Sequence, residues 1–198
     1  MSSARVAGVL LAAGTSSRMG RNKLFLELGG VTLLRRAART ALGAGLDPLL
    51  VVLGHESERA RAELEGIPCT AVLNADYASG MNTSLRAGAC ALPENVDAAV
   101  VLLADMPFVT AEMVRSVVAR WSGEPLAVSL FGDVVAPPIL YSRALFPELR
   151  ALEGDGCGKR VVKQHRKEAL EVPQPEAALR DLDVPADLDL ARSELEGG

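Results

Sequence analysis

Rings are scarce in this chain of 198 residues: aromatics make up 4%, with a single tryptophan, and there are only three cysteines and two histidines. A core short of aromatic residues has to be filled by Ala, Leu and Val. An apolar share of 49% against 23% charged supplies them, which is the profile of a folded α/β protein and excludes a disordered or fibrous chain. Cys69, Cys90 and Cys157 are odd in number, none stands in a C-x-x-C spacing, and His55 and His165 lie far from them in sequence. Neither a zinc site nor a disulfide framework is expected, and the thiols read as free in a reducing compartment. A basic excess is also missing, since the formal charge is −4. That argues against a nucleic-acid partner but not against one phosphorylated ligand met by local cations. No apolar run approaches the ~18 residues of a membrane helix, so no membrane partner is expected. Arg5 followed by Val6 to Ala13 imitates the start of an export signal. The run is short, however, and its removal would delete the first strand, so the expected location is cytoplasmic.

What the chain does contain is alternation. Strands are expected at 6–12, 49–53, 70–73, 98–104 and 126–130, with helices between them at 31–42, 56–64, 82–92 and 111–121. Residues Ala98 to Ala104 are seven apolar residues in a row, the pattern of a central strand covered on both faces. Alternating strands and helices point to a mostly parallel sheet with helices on both faces, in one domain over residues 1–198. After Gly132-Asp133 the rhythm changes. Val134 to Tyr141 reads as extended, and Pro137-Pro138 place it at an edge or on the substrate side of the sheet. Helices at 143–152 and 159–167 and a strand near 169–172 follow. Glu171 to Gly198 holds eight acidic residues against Arg180 and Arg192, so the remainder of the chain carries about +2.

In such a sheet, ligands bind beyond the carboxyl ends of the strands. The first strand empties into Ala12-Ala13-Gly14-Thr15-Ser16-Ser17-Arg18-Met19-Gly20, with Lys23 beyond. Small residues let a backbone approach phosphate oxygens, and Arg18 and Lys23 supply countercharge. Composition alone is equally compatible with a Gly-rich connection and solvated cations. Asp105 follows the apolar strand 98–104, where a carboxylate requires a partner. A Mg²⁺ ion fits that requirement, and a helix N-cap ahead of Pro107 is the bland reading. Asn74 and the run Ser79-Gly80-Met81-Asn82-Thr83-Ser84 place Ser79 as a helix cap, with backbone and hydroxyl groups at a helix start that favours anions. Asp181, Asp183 and Asp187 open a last expected helix, either serving its dipole or, through Asp183, facing a metal. Lys159, Arg160, Lys163, Arg166 and Lys167 form a solvated helix face or attract an anionic second substrate.

Together these pieces resemble the MobA-like family of nucleotidyltransferases, and most of all its molybdenum-cofactor cytidylyltransferase branch. The motif L-A-A-G-x-x-x-R-M-G-x-x-K matches Leu11-Ala12-Ala13-Gly14, Arg18-Met19-Gly20 and Lys23. N-x-x-x-x-x-G-M-x-x-S-L matches Asn74, Gly80, Met81, Ser84 and Leu85, D-x-P matches Asp105 and Pro107, and D-x-D-x-P-x-D-L matches Asp181 to Leu188. The resemblance implies a Rossmann-like, GT-A-like three-layer α/β fold. It further implies Mg²⁺-dependent transfer of a nucleotide, CTP favoured over GTP, to the phosphate of a molybdopterin-type acceptor. By the same resemblance Leu11, Ala12, Ala13, Gly14, Asn74, Gly80, Met81 and Ser84 meet the nucleotide, Arg18 and Lys23 neutralise its phosphates, and Asp105 with Asp183 holds metal. It also leaves room for a molybdoenzyme or its maturation chaperone as a protein partner. The acceptor side departs from the branch: Ala136-Pro137-Pro138-Ile139-Leu140-Tyr141 stands for G-H-P-V-L-F, and Gly154-Asp155-Gly156-Cys157-Gly158-Lys159 for G-D-x-G-A-R.

Overall fold

The computed structural model describes residues 4–14 and 22–179. Strand β1 (Val6–Ala12) is followed by a small hairpin, β2 (Glu27–Leu28) and β3 (Val31–Thr32). Then come α1 (Leu33–Gly43), β4 (Leu49–Leu53), α2 (Ser57–Glu63), β5 (Thr70–Leu73), α3 (Met81–Cys90) and β6 (Ala98–Leu103). The second half adds α4 (Ala111–Arg120), β7 (Leu126–Phe131), β8 (Val134–Ser142), α5 (Phe146–Arg150), α6 (Lys159–His165) and β9 (Leu170–Gln174). Seven strands form one sheet in the order β5-β4-β1-β6-β8-β7-β9. It is parallel except for β8, which runs antiparallel to both β6 and β7.

Alternation along β1 sorts the core into two faces. Val6, Leu10 and Ala12 pack with α1 residues Leu34, Ala38 and Ala41 and α4 residues Val114 and Val117. Ala7, Val9 and Leu11 pack with Leu85 and Ala89 of α3, Phe146 and Leu149 of α5 and Val161 of α6. The result is the three-layer α/β sandwich expected from the sequence, because a strand buried on both faces needs helices on each. Gly88 lets α3 lie unusually close to the sheet: a Cβ there would collide with Cγ1 of Val9. That approach brings the start of α3 over the carboxyl ends of β1 and β4.

The structure corrects several expectations. β8 is not at an edge, since it lies between β6 and β7. The prolines are tolerated because pairing with β6 covers only Ile139 to Ser142. On the other side the β7 register shifts between Val128 and Ser129, so that Pro137 and Pro138 fall in the irregularity. Ser129 Oγ donates to the Pro138 carbonyl at 2.7 Å, satisfying an acceptor that the irregular ladder leaves without a backbone donor. The first helix starts at Leu33 rather than at Val31, because Val31–Thr32 pairs with Glu27–Leu28. Thr32 caps it instead, its Oγ1 accepting from Arg35 N at 3.4 Å. The segment 143–152 splits into a 3-10 turn, Arg143–Leu145, and α5. The helix expected from Asp181 onward lies outside the described residues.

Candidate functional site

β1, β4, β5 and β6 all end on the same side of the sheet, and a cavity of about 460 Å³ opens there. Its lining includes Leu11, Ala12, Ala13, Gly14, Lys23, Gly80, Met81, Ser84 and Asp105. This size suits a small-molecule ligand, for which cavities run roughly 300–1,000 Å³. Arg18 and Asp183, expected at the same place, lie outside the described residues.

Lys23, in the connection that follows β1, and Asp105, just past β6, meet in this cavity. Lys23 sits in a 3-10 turn, Lys23–Phe25, whose start is capped by Asn22 Oδ1 accepting from Leu24 N at 3.2 Å. Its Nζ is 2.9 Å from Oδ2 of Asp105. The lysine side chain is 16% exposed and the aspartate 32%, so the pair is half-sheltered but still open toward the cavity. Asp105 is not a helix cap: α4 begins later and is capped by Thr110, whose Oγ1 accepts from Met113 N at 3.2 Å. Among the described residues no three His, Cys, Asp or Glu side chains gather to hold a metal. Among the described residues, the carboxylates lining the cavity are Asp105 and Asp155. One or two hard carboxylates facing a ligand space match the way Mg²⁺ is held, with phosphate oxygens and waters completing the shell.

Buried polar side chains shape the cavity from beneath. Asn74 is 5% exposed and does not line the cavity. Its Oδ1 accepts from Asp76 N at 3.0 Å, and its Nδ2 donates to Thr83 Oγ1 at 2.9 Å and Ser84 Oγ at 3.0 Å. It thereby ties the end of β5 to the start of α3 and orients Ser84, which does reach the cavity. Ser79 does not cap α3, whose N-cap is Gly80 with no side-chain hydrogen bond. Gly80 has φ of 113°, and a Cβ there would lie 2.5 Å from Asp155 Oδ1 and 2.6 Å from the Gly154 carbonyl, so this position demands glycine. Nor does Asn82 face an anion. It donates through Nδ2 to the Glu153 and Asp155 carbonyls, both at 2.8 Å, and accepts from Gly158 N at 2.9 Å. This buried amide holds the 153–158 turn against α3 together with Asn82 N, which donates to the Gly154 carbonyl at 3.1 Å, and Met81 N, which donates to Asp155 Oδ1 at 3.4 Å.

That turn separates the first cavity from a second of about 900 Å³. Met81, Leu103 and Asp155 line both. The second is walled by Val135, Ala136, Pro137 and Ile139 of β8 on one side and by α6 on the other. Cys157 lines it with a backbone φ of 44°. Burial pushes its thiol up to about 11, the Asp105 carboxylate adds to the rise, and Lys159 opposes it. The group is therefore a neutral thiol near neutral pH and no nucleophile.

Residues 8–169 match the MobA-like NTP transferase domain family. The chain belongs to that family. The purine catabolism protein PucB of Bacillus subtilis (strain 168) is 34% identical over 204 residues, covering 97% of this chain and 98% of PucB. The nicotine blue oxidoreductase of Paenarthrobacter nicotinovorans is 31% identical over 166 residues, covering 79% of this chain and 80% of that protein. Among solved structures, Rv0371c of Mycobacterium tuberculosis H37Rv superposes with a TM-score of 0.85 at 26% identity, covering 97% of this chain and 100% of that one. A complex of Rv0371c with manganese superposes with a TM-score of 0.73 at 27% identity, covering 88% of this chain and 90% of that one.

Within this MobA-like NTP transferase, sequence reasoning missed Leu24, Tyr77, Ala78, Leu103 and Asp155 as walls of the first cavity. Tyr77 had a legible signal only in hindsight, in the glycine before the next turn. A Cβ on Gly54 would stand 2.6 Å from Tyr77 Cβ and 2.9 Å from Ala13 Cβ, so that glycine is the seat on which Tyr77 packs. Asp155 follows Gly80 by 75 positions, and only the fold brings them together.

Proposed function

We propose that this MobA-like nucleotidyltransferase is a Mg²⁺-dependent cytoplasmic cytidylyltransferase, a single domain that moves CMP from CTP to the phosphate of a molybdopterin-type acceptor. The carrying observation is the pair of cavities that join at Met81, Leu103 and Asp155, with Lys23 and Asp105 in the smaller one. The nucleotide occupies the smaller cavity, its base and ribose against Leu11 to Gly14 and Gly80 to Ser84. The acceptor enters the larger. An acceptor phosphate oxygen attacks the α-phosphorus, the bond to the β-phosphate oxygen breaks, and pyrophosphate leaves with that electron pair. Lys23 exchanges its carboxylate partner for phosphate oxygens and, with Arg18, neutralises the charge that gathers on them. Asp105, helped by Asp183, is the residue that would hold the metal, which supplies further charge neutralisation and aligns the phosphates. The protein's own task is positioning, which needs no covalent nucleophile and agrees with a protonated Cys157. The manganese complex of Rv0371c supports a divalent ion at this fold.

The acceptor-side departures, Ala136-Pro137 and Cys157-Gly158-Lys159, favour a second reading in which the same transfer serves another phosphorylated acceptor. The relative named as an oxidoreductase supports a third, dinucleotide binding without transfer. A thermal-shift panel of CTP, GTP, ATP, UTP and NAD(P)H, with and without Mg²⁺, separates them. Selective stabilisation by CTP with Mg²⁺ is expected, amounting to about 2.7 kcal/mol at a hundredfold excess over Kd. A response to no triphosphate refutes transfer, and a response to NAD(P)H alone selects the third reading.

A further inference from the structure

The larger cavity has a polarity that the transfer of one phosphate does not use. Lys159, Val162, Lys163, Arg166 and Lys167 all line it. Their spacing is a single helical face, continued past α6 into the 3-10 turn Arg166–Glu168. The opposite face is anchored: Val161 is 1% exposed in the core, and His165 Nε2 lies 2.9 Å from Glu148 Oε1 on α5. The stripe is thus held toward the cavity. Lys159, Lys163 and Lys167 form a ladder of like charges at helical contact spacing, which by itself destabilises a helix. Among the described residues none of the three forms an ion pair, so an anionic ligand would offset a repulsion that the protein leaves standing. Arg166 stands between them, its Nη2 2.6 Å from Glu171 Oε1.

The helix also has a direction. Its start is tied to the seam between the cavities through Gly158 N and Asn82 Oδ1 at 2.9 Å. At the helical rise, Lys167 lies about 12 Å farther along than Lys159. Across from this stripe stand Val135, Ala136, Pro137 and Ile139, all apolar. We infer that the far end of the larger cavity is a second anion subsite, formed by Lys163, Arg166 and Lys167, and that the natural acceptor is an extended dianion. One negative group is the phosphate that meets the nucleotide at the seam, and the other lies at the opposite end of a middle that is apolar or flat. The assignment of the near end rests on the transfer reading above; the far subsite stands on its own geometry.

The test uses α,ω-octane bisphosphonate, whose charged ends span a length close to that of the stripe, against octylphosphonate, titrated calorimetrically into the full-length protein. The bisphosphonate is expected to bind about tenfold more tightly, the gain of one charge-assisted contact. The preference is expected to vanish in Lys163→Gln/Lys167→Gln, which leaves the Arg166–Glu171 pair in place, and in the triple variant that adds Arg166→Gln. Its loss in either variant, with thermal midpoint and nucleotide-induced stabilisation as in the parent, supports the subsite. Equal binding of the two probes, or a preference that survives in both variants, overturns it. Failure of any triphosphate to stabilise the protein while the preference persists overturns the transfer reading and leaves the subsite standing.

Discussion

Replacing Asn82 with alanine should unfasten the wall between the two cavities. The side chain is 5% exposed and makes three hydrogen bonds, two donated to the Glu153 and Asp155 carbonyls at 2.8 Å and one accepted from Gly158 N at 2.9 Å. At about 1 kcal/mol net each, their loss costs roughly 3 kcal/mol. The two carbonyls belong to an exposed turn and recover water, whereas Gly158 N is buried and stays unpaired, which raises the total to about 4 kcal/mol. For a chain of this size that corresponds to a drop of about 10 °C in Tm. Urea unfolding measures the stability change, and amide exchange at Gly158 shows whether the loss is local to the turn. Asn82→Asp sharpens the argument. It keeps the acceptor for Gly158 N but abolishes both donations and sets a carboxylate against two carbonyl oxygens, so it should destabilise at least as much as alanine. If Asn82→Asp is tolerated to within about 1 kcal/mol, the amide is filling space and the hydrogen-bond account is wrong.

Asp105→Ala should abolish turnover and metal-dependent stabilisation by nucleotide while the protein stays folded; unchanged pyrophosphate release in that variant removes Asp105 from the chemistry. Gly88→Ala should destabilise by about 1–3 kcal/mol despite alanine's better helix propensity, because its Cβ meets Val9 and Val52 of the sheet, and a stability gain in urea would contradict the close packing of α3. The Cys157 thiol, raised from 9.0 to about 11, favours the folded state below the ordinary thiol range. That contribution is therefore lost as pH climbs from 9.0 through about 11, and a Cys157→Ala variant should show a smaller fall in stability over that window. At neutral pH iodoacetamide should label exposed Cys90 well before Cys157, which mass spectrometry of the digested protein resolves.

Periodicity carried the layout because burial is what it encodes. The apolar run after Val96 could only be a strand covered on both faces, and β6 is buried at five of its six positions. Pro137-Pro138 left two places open, an edge or the substrate side, and only the edge is excluded: Pro137 lines the larger cavity. A proline lacks a donor, but that matters only where a neighbour needs one, and the β7 register shift leaves both prolines outside the ladder. Motif residues likewise divided by what surrounds them. Gly80, Ser84 and Lys23 line the cavity, while Asn74 and Asn82, which look equally polar on paper, spend every amide group on the protein itself.

Local chemistry therefore determined the alternation of strands and helices, the parallel sheet, and the loops at which ligand-facing residues would collect, because each depends on neighbours a few positions apart. Tertiary structure decided the rest. It paired Lys23 with Asp105, set Asp155 against Gly80, seated Tyr77 on Gly54, and turned the cations of α6 toward an apolar wall contributed by β8. Each of those contacts joins residues from separate crossovers, and their distances come into being only when the sheet order and the close approach of α3 are settled.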